Sequence, residues 1–411
     1  MRSLLIVIFL SISAIGFSQK TITISGKLID DETEEPIIFA SIGIDGKSVG
    51  TVSNAVGEFD FHVPYIYKDY RMVIRMLGYQ NLSVPISNYA YKDTVIFRLK
   101  RASKVLDEVI ITDSLNGGDI VSAALNKIDQ NYPKEPFLMD GFYRDLKKVG
   151  GKYFSLLEAA VKIYDEDYEE PKNKNRLRER VALMEVRKSL GYSNKFTRYF
   201  EKYNLLEDLL LHNNIRYRQF PMQEVFFNSF RRGETTMYNG QLVHVAEGRF
   251  LVPDNGGTMH IKLFVDVETY GIVRMEYERT FNNEVLRKKG DLVSRYISDI
   301  KSIDFKEYQG KMYLNLIKLQ SKINWYDQKT DELKFETELQ QELLINNIET
   351  NPYERITGTE KMRRYGLQYQ DERYNREFWE NYNVIKDTPL DEEIVADLEE
   401  LGTLEEQFEN Y

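Results

Sequence analysis

The sequence predicts a β-rich chain in two parts, an N-terminal β-sandwich followed by a larger α+β domain built on an antiparallel sheet. Three observations point there. Short runs of alternating apolar and polar residues crowd residues 20–112, the period of half-buried strands. Longer runs of the same kind, joined by turns rich in Gly, Asn and Asp, return between residues 242 and 347. Between and after them lie a few stretches with helical spacing. A chain of 411 residues, 42% hydrophobic and 29% charged, suits a globular protein of two or three domains.

Residues 1–19 read as a signal peptide: Arg2 is followed by an apolar run of 14 residues, 4–17, and then by small residues at Gly16 and Ser18. A bilayer span needs roughly 20 residues, so cleavage near Ser18 and Gln19 is expected, with no transmembrane span in the mature chain. The net charge of −10 argues against a non-specific nucleic-acid partner. Zero cysteines exclude disulfides, thiolate metal sites, a cysteine nucleophile and a lipid-anchoring cysteine.

Within 20–112, strands are expected at 21–30, 39–44, 48–52, 58–63, 70–76 and 94–99. Turns at Asp45-Gly46, Ala55-Val56-Gly57 and Gly78 separate them. Gly57 suits a hairpin position with positive φ, and Phe59 opens the next strand with a core aromatic. The run Ile24-Ser-Gly-Lys-Leu-Ile-Asp30, Glu35-Pro36, Ala40-Ser-Ile-Gly-Ile44, Gly50-Thr51, Gly57-Glu58-Phe59 and Leu77-Gly78-Tyr79 resembles the carboxypeptidase-regulatory-like domain. The resemblance implies a transthyretin-like sandwich of seven strands without catalytic residues, of the kind that precedes TonB-dependent outer-membrane receptors and other exported proteins. The segment from Leu106 to Thr112 resembles the strand that follows this domain in such receptors. The fewer than 300 residues beyond it lack a long series of ten-residue strands with an apolar outer face, so a receptor barrel is not expected.

Residues 113–390 form the second predicted domain. Ser114 to Gly118 reads as a linker, with Asp119 as the cap of a helix to about Gln130. A strand is expected after Pro136 and a strand or short helix over 153–163. Residues 165–180 form a charge-dense, mobile loop, and 196–211 an amphipathic helix. Strands follow at 242–252, 258–266, 272–280, 296–308, 312–326 and 336–347. The phrase Ile261-Lys-Leu-Phe-Val-Asp-Val-Glu-Thr-Tyr-Gly-Ile-Val-Arg274 resembles periplasmic lipoprotein-carrier-like domains, which implies a curved antiparallel sheet around a helix. The segment 375–411 reads as helical, acidic from Asp391 onward, with Ile394, Leu398 and Leu401 packed inward and 391–411 as a C-terminal helix.

Chemistry is not legible. His244 and His260 with Glu247 could hold zinc, but His244 and Glu247 are three apart and point to opposite faces of a strand. There is no HExxH, G-x-S-x-G or Walker A motif. Glu268 with Glu276, or Asp254 with Asp266, are carboxylate pairs of the kind a glycosidase uses, yet 65 acids produce such pairs by chance. Asp30, Asp31, Asp45 and Asn54 could form a loop calcium site, without EF-hand spacing. No catalytic, cofactor-binding or metal residue and no cofactor is assigned, and enzymatic activity is left open. The expectation is a non-enzymatic exported protein of the periplasm or outer-membrane periphery. It would act as a binding or assembly module for an outer-membrane protein, glycan or peptide. One alternative is a carrier of an apolar ligand on a dry face lined by Leu263, Val265, Ile272 and Met275; another is a hydrolase of unrecognised type.

Overall fold

The computed structural model describes residues 21–90, 92–102, 115–189, 191, 196–200, 204–220, 224–251, 257–282, 285–362, 366–370, 373–386 and 391–409. The signal-peptide reading, the strand at Leu106 and the first residue of the linker, Ser114, lie outside them. Asp254 and the end of the acidic tail do so too.

Among the described residues the N-terminal strands are β1 (Thr21–Asp30), β2 (Ser41–Ile44), β3 (Gly50–Val52), β4 (Glu58–Pro64), β5 (Arg71–Arg75), β6 (Leu82–Pro85) and β7 (Val95–Leu99). They form a sheet ordered β4-β1-β7 and another ordered β3-β2-β5-β6. Between the sheets, Ile24, Leu28, Ile42, Phe59, Phe61, Ile74 and Phe97 make one core, as the two-residue alternation requires. Gly57 has φ +80°, and a Cβ there would lie 2.5 Å from the Leu28 carbonyl oxygen. β6 escaped the sequence reading because its four residues include Pro85 and none is fully buried.

The other strands are β8 (Phe137–Val149), β9 (Lys152–Asp165), β10 (Arg180–Lys188), β11 (Phe230–Arg232), β12 (Thr236–Tyr238), β13 (Gln241–Leu251), β14 (Thr258–Asp266), β15 (Ile272–Thr280), β16 (Val285–Lys289), β17 (Leu292–Tyr308), β18 (Lys311–Asp327) and β19 (Leu333–Thr350). They form one large sheet in the order β10-β9-β8-β19-β18-β17-β15-β14-β13-β11, with β12 on β13 and β16 on β17. The N-terminal part of this sheet, β8 to β10, thus adds to the C-terminal strand β19 rather than to its sequence neighbour.

One face of the sheet carries the helices. Ile120, Val121 and Ala124 of the Gly117–Asn126 helix and Leu206 and Leu209 of the Leu205–Leu211 helix pack on Tyr143, Ile163, Leu263, Met275, Ile303, Ile317 and Leu343. The first helix starts earlier than its acids suggest. Asn116 is the cap, exchanging hydrogen bonds with Asp119 in a capping box. Gly117 and Gly118 therefore belong to the helix rather than to a linker, and both must be glycine because a Cβ on either would lie 2.5 Å from the backbone of Arg231 or Phe227. The expected helix over 196–211 is interrupted: a 3-10 turn at Thr197–Phe200 precedes the Leu205–Leu211 helix, which Asn204 caps afresh.

The charge-dense loop 165–180 is tied to the body by its own side chains. Arg216 donates to both oxygens of Asp165, at 2.7 and 3.1 Å, and Tyr217 hydrogen-bonds Glu179. Tyr168 stacks on Tyr132 with ring centroids 5.0 Å apart.

The opposite, docking face of the sheet carries the N-terminal strands. Val52 joins Phe142, Ala160, Leu316, Leu344, Trp379 and Ile385 in a second apolar cluster. Phe39 takes φ +54°, a conformation that costs a bulky residue energy, and its ring lies under the Lys318 ammonium. The tail is helical at Arg376–Asn381, Asp391–Leu398 and Leu404–Glu409, but residues 382–386 run extended as a strap between the two parts. Asn383 clamps β4 through the His62 amide and carbonyl, at 2.8 and 3.1 Å, and its own carbonyl accepts from Asn346 of β19 at 2.7 Å.

Candidate functional site

The register of the large sheet aligns one residue from each strand into a row across the docking face. From edge to edge it reads Arg231, Glu247, Lys262, Glu276, Ser302, Lys318, Glu342, Arg144, Glu158 and Arg187. Facing residues on adjacent strands stand about 5 Å apart, so opposite charges support the pairing. Charges alternate along the whole row except at Ser302. The signal for it is visible in one strand only: Glu158 stands inside the run Leu156-Leu157-Glu158-Ala159-Ala160-Val161, and a charge there needs a partner.

The row is covered at one end. Glu158, 1% exposed, accepts from Arg144 Nε at 2.7 Å and from Arg187 Nε at 2.5 Å. The two guanidinium groups hold its carboxyl below the usual range against the opposing effect of burial. Arg144 also donates to the Ile385 carbonyl of the strap at 3.0 Å, and the Arg187 guanidinium lies 4.4 Å from the Trp379 ring.

At the other end the row is open. A groove of about 460 Å³ runs over His260, Lys262, Glu276, Lys318, Gln320 and Glu342. His260 Nε2 and Glu247 Oε1 are 2.7 Å apart, and Arg274 bridges Glu276 and Asp304 at 2.9 and 3.1 Å. The buried Ser302 hydroxyl, at the gap in the charges, has no hydrogen-bond partner. Burial lowers Lys318. This surface offers paired charges and side-chain amides to a ligand.

A second cavity, of about 510 Å³, lies between the β2–β3 hairpin and the large sheet. Lys306 reaches into this junction and donates to the carbonyls of Ser48 and Ile345, at 3.1 and 3.0 Å. Burial, and then the neighbouring Arg75, bring its ammonium down to about 7.

The residues weighed from sequence scatter. His244 is fully buried opposite Val265 on the helix-covered face, whereas His260 faces Arg249 and Glu278 on the other. Among the described residues no group of three His, Cys, Asp or Glu could hold a metal. His62 bonds Thr23, and His212 sits by Asp208 and Lys301. Asp30 accepts from Arg101, Tyr79 and two backbone amides, which holds it well below the carboxylate range. Asn54 accepts from the amides of Val56 and Glu58, and Asp45 lies 3.9 Å from Arg75. Asp266 is engaged by its own turn, through Thr269 and the Glu268 amide, while Glu276 belongs to the charged row. Leu263, Val265, Ile272 and Met275 are fully buried in the core beneath the helices, so the dry open face that a carrier would need is filled at these four residues.

Comparison with known proteins bears on the N-terminal strands. Residues 24–111 match the family model of the CarboxypepD_reg-like domain. This segment is a CarboxypepD_reg-like domain. The TonB-dependent receptor SusC of Bacteroides thetaiotaomicron is 35% identical over 104 residues, which cover 25% of this chain and 9% of the receptor. The chain therefore spans under a tenth of the length of that relative. Solved structures with similarity include a DUF1329 family protein from Desulfovibrio piger, at 10% identity over 58% of this chain and 93% of that one, with a TM-score of 0.23. A putative membrane-associated protein of unknown function from Bacteroides fragilis is 11% identical over 80% of this chain and 99% of that one, with a TM-score of 0.16. Among the described residues no helix is long and apolar enough to cross a membrane.

Proposed function

We propose that the chain is a non-enzymatic, envelope-associated binding module that presents the open half of its charged row to a polar, extended ligand, a glycan or a peptide segment. Residues 1–19 would direct export, 20–112 form the docking sandwich, 113–390 the α+β body and 391–411 the acidic helical end. The observation that carries this reading is the change along one row from covered to open. Where the row is covered, the chain's own strap satisfies it with a carbonyl and an indole ring. Where it is open, the same alternation of charge continues along Lys262, Glu276, Lys318 and Glu342 with Gln320 beside it, leaving hydrogen-bonding groups for an external segment. The relation of residues 24–111 to part of an outer-membrane receptor supports a place at the outer-membrane periphery.

Glycan and peptide arrays probed with the full chain test the reading. Reversal of the groove charges, Lys262→Glu with Glu276→Lys, should abolish the selected binding with the fold retained by circular dichroism. Binding that survives the reversal would remove the groove from the function.

A further inference from the structure

The cavity between the β2–β3 hairpin and the large sheet is separate from the groove. Its walls bring together Arg75 from the CarboxypepD_reg-like domain and Lys306 from β17. The partners of Lys306 are neutral, and Arg75 meets a carboxylate only at the long end of ion-pair range. Lys306 donates to two carbonyl oxygens. Arg75 donates to the Asn239 side-chain oxygen at 2.7 Å and stands 3.9 Å from Asp45, an exposed residue. The acids that line the cavity are committed or turned outward: Asp266 accepts from its own turn, and Glu307 is exposed. Two cations thus share a partly enclosed space with no carboxylate hydrogen-bonded to Lys306, and Arg75 raises the cost of the Lys306 charge. An anion between them removes that repulsion and forms charge-assisted hydrogen bonds.

We infer that this cavity is a binding site for a small oxyanion-bearing molecule, a carboxylate or phosphate on a body of sugar or dipeptide size, held by Arg75 and Lys306. The volume of about 510 Å³ is within the range of small-molecule sites and exceeds what a bare ion needs. Because one cation comes from each part of the chain, the ligand would also tie the N-terminal domain to the sheet. Its occupancy would then be read in the stability of the whole molecule.

The test is a thermal-shift and calorimetric titration of the full chain with glucuronate, glucose 6-phosphate, inorganic phosphate and neutral glucose. A saturable rise in melting temperature with glucuronate or glucose 6-phosphate, but not with glucose, is the expected result. The two charged sugars distinguish carboxylate from phosphate as the source. A rise with inorganic phosphate alone would reduce the site to adventitious ion binding and overturn the proposal. Lys306→Met and Arg75→Gln should each weaken the apparent affinity roughly tenfold, the loss of one charge-assisted hydrogen bond, and Lys306→Arg should retain it. Arg75→Gln also touches the Asn239 contact, so Lys306→Met is the decisive variant. Unchanged affinity in Lys306→Met, or no saturable response to either charged sugar, would sink the site.

Discussion

The two ends of the charged row are built from the same alphabet in the same register, yet their surroundings oppose each other. At the covered end Glu158 sits between Arg144 and Arg187 under the strap and Trp379. At the open end Lys262 and Glu276 face each other in a groove that solvent enters. In water a cross-strand ion pair contributes little, about 0–1 kcal/mol. Out of water, removing one partner strands a buried charge, which costs about 3–5 kcal/mol. The difference teaches that cover, not charge, decides which part of the row holds the fold and which part is free to bind.

The largest effect follows from that contrast. Glu158→Gln leaves two guanidinium groups without their anion and should lower stability by about 3–5 kcal/mol in urea unfolding. Glu276→Gln, at the open end, should cost less than about 1 kcal/mol. Equal losses at the two ends would break the comparison.

The cover itself is the next target. Trp379 is 5% exposed, packs edge-on to Phe142 with centroids 6.4 Å apart and lies against Arg187. Trp379→Ala should cost about 3 kcal/mol. It should also raise hydrogen exchange along β9 and β10 while leaving β14 and β15 unaffected. Uniform exchange across the sheet would show that the indole stabilises the whole body and not one end of the row.

How much of this was open to sequence reasoning depends on how far apart the interacting residues lie. Strands such as β1, β14 and β18 carry their alternation locally, and the N-terminal domain carries its glycines and Phe59 within one short segment. The row is different. Arg144 meets Glu158 after 14 residues but Glu342, on the adjacent strand β19, only after nearly 200, and alternation within a strand says which face a residue takes, not which residue it faces. The strap was hidden for another reason. Phe378, Trp379 and Tyr382 follow helical spacing, so the extended run 382–386 read as part of a helix, although Asn383 and Tyr382 use it to bond β4 and the Gly141 carbonyl. The cavity at Lys306 was equally illegible, since it exists only once the N-terminal domain is docked.

The smallest effect lies in the pH dependence of stability, and it separates the two ends by the pH window in which each acts. Glu158 is held below its ordinary value by its two arginines. Above pH 4.5 its carboxylate is ionised in both states and its contribution is fully present. As the pH falls from there toward the lower folded value, the unfolded chain takes up a proton that the folded chain refuses, and stability drops. Lys318, at the inner edge of the groove, is displaced downward by burial. Between its folded value and 10.5 the unfolded chain holds the extra proton, so its influence appears as stability rising with pH on the alkaline side. Urea midpoints of the full chain should therefore fall on acidification with a slope that Glu158→Gln reduces by up to about 1.4 kcal/mol per pH unit. Lys318→Met should leave that acid limb intact and flatten the alkaline one. An acid limb unchanged in Glu158→Gln would mean that the arginines find another anion once Glu158 is gone, and the covered end would then be as replaceable as the open one.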